Sequence, residues 1–82
     1  MAETYFWLSF ADGSLPEGQQ FIGVIIARGY TIGAAVTETH LRGINPGGEI
    51  QFAEIPPEHV PPAFLHWKLL SYANLAEAGL LD

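Results

Sequence analysis

At 82 residues the chain has room for one domain and one modest core, because a domain of this size buries only about 60–65% of the surface its unfolded chain exposes. Nine acidic side chains against three basic ones (Arg28, Arg42, Lys68) give a net charge of −6, which repels phosphate backbones and anionic membranes and excludes duplex nucleic acid as an expected partner. The absence of cysteine removes disulfides and thiolate metal sites.

Tyr5-Phe6-Trp7-Leu8-Ser9-Phe10 opens the chain as a strand, since aromatic side chains suit a pleated surface. Alternation sends Phe6, Leu8 and Phe10 to a core face and Tyr5, Trp7 and Ser9 to the other. Asp12 to Gly18 is a loop of turn formers that returns the chain antiparallel. Phe21 to Ala27 is almost wholly apolar, as a strand covered on both faces should be. Past Arg28-Gly29-Tyr30 the period changes: Ile32, Ala35, Val36 and Thr39 form one helical stripe, with Thr31 as N-cap and Gly43 as the stop. Asn45-Pro46-Gly47-Gly48 turns the chain into a third strand, Glu49 to Ile55, because proline fixes φ and glycine permits positive φ. Its apolar pattern slips between faces, which predicts a bulge or an end buried on both sides. Pro56 to Pro62 interrupts regular structure. A helix is expected from about Pro62 to Leu69, and a last one from Tyr72 to Ala78, capped by Ser71 and packed by Leu75, Leu80 and Leu81.

The expected architecture is a small single α/β domain spanning 1–82. Residues 1–57 form the sheet and crossover helix, and 58–82 a helical tail. The order is strand, strand, helix, strand, with one right-handed βαβ crossover, a three-stranded mixed sheet and one or two short C-terminal helices. The start of the chain lacks the basic stretch and apolar core of a secretory signal, and no apolar run nears the roughly 20 residues of a membrane span. A cytoplasmic protein with no membrane partner is expected. Apolar residues make up 49% of the chain, more than one small core absorbs, so a homodimer or larger homo-oligomer is expected as well.

No pattern points to catalysis. His40, His59 and His66 lack the i, i+4 spacing that aims two imidazoles at one metal ion, and no serine sits in a nucleophile elbow. The chain reads as a non-enzymatic protein with no cofactor and no metal. The strand-to-helix stretch Arg28 to Gly33 has the order of an anion-binding loop but matches neither the dinucleotide nor the P-loop fingerprint. What remains suits a small nucleotide, bound at a subunit interface: Tyr5 and Trp7 for stacking, Arg28 and Arg42 for phosphate, Thr31 and Asn45 for hydrogen bonds. The opposing assignment makes the aromatics core residues and the arginines surface ion-pair partners.

Tyr5 to Phe10, Gly18-Gln19-Gln20-Phe21-Ile22-Gly23-Val24 and Gly43-Ile44-Asn45-Pro46-Gly47-Gly48-Glu49 together resemble a family of short uncharacterised proteins of bacterial and phage genomes. The resemblance covers residues 4 to about 57 and carries no functional residue with it. It implies a phage-type context in which small acidic proteins act by stoichiometric binding. The partner would be either a signalling nucleotide that is sequestered, as by a counter-defence sponge, or a host protein that is blocked, with Trp67 and Tyr72 as aromatic anchors. An enzyme ranks third.

Overall fold

The computed structural model describes residues 2–81. It contains strands β1 (Thr4–Ala11), β2 (Phe21–Gly29) and β3 (Glu49–Ile55), helices α1 (Ile32–Leu41) and α2 (Tyr72–Glu77), and 3-10 turns at Pro57–His59 and Ala63–Leu65. The sheet order is β2-β1-β3, with β1 antiparallel to both neighbours. The α/β class and the crossover from β2 through α1 to β3 hold, because two strands that each oppose β1 run parallel to one another. The expected mixed sheet does not hold. β1 separates the two parallel strands, so every ladder is antiparallel. The far edge of β1 offers β3 a ladder that sets Leu8 opposite Phe52 and Phe10 opposite Ile50.

Each sheet face carries its own core. Phe6, Leu8 and Phe10 meet Ile25, Ala27 and Ala35 on the α1 side. On the opposite side Val24 and Ile26 meet Leu70 and Leu75, with Tyr5 and Trp7 packed against them. The slip in the apolar pattern of β3 comes from its two ends serving different faces: Ile50 packs on the first core and Ile55 on the second. β3 pairs with β1 in unbroken register, and the irregularity lies instead between β1 and β2 at Phe10 and Ala11.

The expected helix from Pro62 to Leu69 is replaced by the short turn Ala63–Leu65 and an extended stretch that lies along the outer edge of β2. Val24 and Leu70 exchange backbone hydrogen bonds at 2.9 and 2.7 Å, and the Trp67 amide donates to the Ile26 carbonyl at 3.0 Å. Covering that edge satisfies β2 backbone groups that a helix would leave open. Ser71 caps α2 as expected: its hydroxyl accepts from the Asn74 amide at 3.1 Å, and the Asn74 side chain accepts from the Ser71 amide at 3.0 Å. No helix among the described residues is long and apolar enough to cross a membrane.

Candidate functional site

Arg28 and Arg42 reach one hollow of about 250 Å³, walled also by Glu3, Tyr30, Glu38 and Trp67. Arg28 sits near the end of β2, and Arg42 is the C-cap residue of α1. Ala34, Glu38 and Arg42 fall four apart, so one face of α1 forms a wall. Trp67 comes from the tail. Its backbone is left-handed at φ 58°, a rare state for a bulky residue, and here it accompanies the passage of the chain around the β2 edge. His66 consequently lies against Tyr5, ring centroids 5.1 Å apart, while Trp67 packs on the α1 side.

Both cations already have partners. Arg28 Nε lies 3.2 Å from Glu3 Oε1, and Nη1 donates to the Tyr5 hydroxyl at 3.4 Å. The Tyr5 hydroxyl first, and then the Glu3 carboxylate, raise the Arg28 pKa above its ordinary range, so this residue stays charged. Arg42 Nε donates to Glu38 Oε2 at 2.9 Å, and its guanidinium carbon stands 4.0 Å from the Trp67 ring centroid. The four charges sum to zero. The side chains in these pairs are between 39% and 47% exposed, so solvent screens both pairs and each contributes little. Pairs that weak exchange readily for a better anion.

The six residues singled out from the sequence separate into two groups. Arg28 and Arg42 converge on the hollow, and Tyr5 joins them through its cross-strand contact with Arg28. Trp7 shares the sheet face of Tyr5 but lies away from the Arg28 and Arg42 hollow, in an apolar hollow of about 390 Å³ with Phe21, Tyr72 and Leu75. Thr31 is a plain N-cap that accepts from the Ala34 amide at 3.1 Å. Asn45 is structural: it donates to Thr39 Oγ1 at 2.9 Å and accepts from the Gly47 amide at 2.8 Å. Trp67, expected as an anchor for a partner protein, is instead half-buried beneath Arg42. No local spacing signals that placement, which depends on the tail doubling back along β2.

A larger hollow of about 680 Å³ opens beside Tyr5, Ile55 and Pro57, but its charged walls are Glu3 and Glu54, which repel phosphate. Among the described residues no three His, Asp or Glu side chains cluster as metal ligands would. His66 Nε2 must carry a hydrogen, because the atom 2.7 Å away is the Pro61 carbonyl oxygen, which only accepts. Comparison with protein-family models, curated proteins and solved structures found no match to this chain.

Proposed function

We propose that the chain is a cytoplasmic, non-enzymatic binding protein that sequesters a small nucleotide-like anion at the Arg28 and Arg42 hollow. The observation that carries this reading is the convergence of two guanidiniums, from different elements, on one concavity that also holds an indole and a phenol. Phosphate matches the guanidinium fork as carboxylate does and brings more negative charge than a single glutamate, so binding proceeds by swapping Glu3 and Glu38 for phosphate oxygens. At about 250 Å³ the hollow is smaller than the roughly 300–1,000 Å³ of sites that engulf a ligand. It therefore grips the phosphate and one ring face and leaves the rest of the ligand in solvent.

Calorimetry or thermal shift against cyclic and linear nucleotides tests the proposal. At least one ligand should raise the melting temperature, because anything that binds only the folded state stabilises it. Glu3→Gln with Glu38→Gln should tighten binding, and Arg28→Ala with Arg42→Ala should abolish it. Heat-released ligand should be recovered unchanged. No shift across the panel, or one that survives the double arginine substitution, rejects the hollow as the site. A second reading, blockade of a host protein, is favoured by the exposure of Phe64 and Tyr72, at 69% and 68%.

A further inference from the structure

We infer that β3 is the contact edge of a two-fold homodimer, in which β3 of each copy pairs antiparallel with β3 of the other about an axis through Phe52. The two sheet edges are treated differently. The outer edge of β2 is covered by the tail through Val24, Ile26, His66 and Leu70. Among the described residues no backbone hydrogen bond reaches β3 from any segment except β1. Its seven residues are therefore left with one open row of donors and acceptors.

The sequence of β3 selects the occupant. A closed antiparallel pair about a two-fold axis sets a residue opposite its own copy or places pairs symmetrically around it. With the axis at Phe52 all seven residues pair: Glu49 faces Ile55, Ile50 faces Glu54, Gln51 faces Ala53 and Phe52 faces itself. No glutamate then faces a glutamate. A slip of one residue toward the start of the strand sets Glu49 against Glu54, twice, which like charge disfavours. Phe52 is 55% exposed on the α1 face, where α1 packs mainly over β2 and leaves the Phe52 ring largely uncovered beside Phe6. The axis brings the two Phe52 rings together there, with both α1 helices on the same side of a six-stranded sheet. Both outer edges of that sheet are the covered edges of β2, so assembly stops at two copies. The Arg28 and Arg42 hollow lies at the β2 end, and loss of either property leaves the other in place.

Sedimentation equilibrium of the full chain should give twice the 8.9 kDa monomer mass in the micromolar range. Phe52→Glu should return the monomer mass with an unchanged circular dichroism spectrum. In the unaltered chain, β3 amides facing away from β1 should gain at least tenfold protection from hydrogen exchange between monomeric and dimeric concentrations. Phe52→Cys, in a chain with no other cysteine, should oxidise to a disulfide dimer at least tenfold faster than Ala53→Cys. A mass of 8.9 kDa throughout overturns the inference. So does a dimer that survives Phe52→Glu without concentration-dependent protection in β3, or equal cross-linking of the two cysteine variants.

Discussion

Thr39 is the one polar side chain buried outright among the described residues, and it explains why the Asn45 side chain is held within the fold and away from the hollow. The Thr39 hydroxyl donates to the Val36 carbonyl and accepts from Asn45 Nδ2, while the Thr39 carbonyl accepts from the Ile44 and Asn45 amides at 3.1 and 3.2 Å. Every polar atom of this knot is satisfied, so removing one partner strands the other. Thr39→Val should cost about 1–3 kcal/mol through the orphaned Asn45 amide. Thermal denaturation should show it as a fall of about 4–8 °C for each kcal/mol. Asn45→Ala combined with Thr39→Val should cost less than the two separate losses, because both delete the same bond. Strict additivity would mean that the bond contributes nothing. The sequence shows Asn45 as an amide beside a Pro-Gly-Gly turn, and amides of that kind serve ligands and turns alike. Only the position of Thr39, one helix face away, decides between them. That Arg28 and Arg42 line the same hollow was legible only to the extent that the chain holds so few cations. Trp67 was not, because its approach to Arg42 depends on pairing between the tail and β2 that no local pattern encodes.

At the scale of elements, the turn into β3 depends on Gly48. Its φ is +86°, and a Cβ there would lie 2.4 Å from the carbonyl oxygen of Ala11, a backbone atom of the neighbouring strand that cannot swing aside. Gly47, at φ +80°, has open space around it. Gly47→Ala should therefore cost only the left-handed backbone penalty of about 1–2 kcal/mol. Gly48→Ala adds an overpacking cost of about 1–3 kcal/mol and should loosen the start of the β1 and β3 ladder. Equal denaturant midpoints for the two variants would show that the close approach to Ala11 is absent in solution. The strands, α1 and α2 were legible because periodicity and caps are local: Thr31 and Ser71 do what such residues do at helix starts. The position of β1 between β2 and β3 was not, since alternation identifies a strand without naming its neighbours. Residues Pro62 to Leu69 failed as a helix for a related reason. Two 3-10 turns use the prolines as starts, and backbone groups that would have closed helical bonds at Trp67 and Leu70 bond to β2 instead.

For the whole molecule, the decisive feature is that two cores share one three-stranded sheet, with α1 on one face and the tail on the other. A chain of this length has about 4–12 kcal/mol of total stability at roughly 0.05–0.15 kcal/mol per residue, too little for two independent units. Val24 and Ile26 alternate with Ile25 and Ala27 along β2, so a strand that loses one face loses its anchor for the other. The tail and α1 should therefore unfold together. The two tryptophans test this directly, because Trp7 packs on the tail side and Trp67 against the α1-side core. Trp7→Phe leaves a reporter of the α1 side, and Trp67→Phe leaves a reporter of the tail side. Leu75 is 1% exposed under the tail, and Leu75→Ala should cost about 2–5 kcal/mol. Placed in both single-tryptophan backgrounds, it should lower the denaturant midpoint by the same amount for each reporter, as a two-state domain requires. A shift seen by Trp7 and not by Trp67 would divide the chain into a stable unit of sheet, α1 and the Trp67 stretch, and a separately melting α2. The hollow would then keep its Trp67 wall while α2 melted.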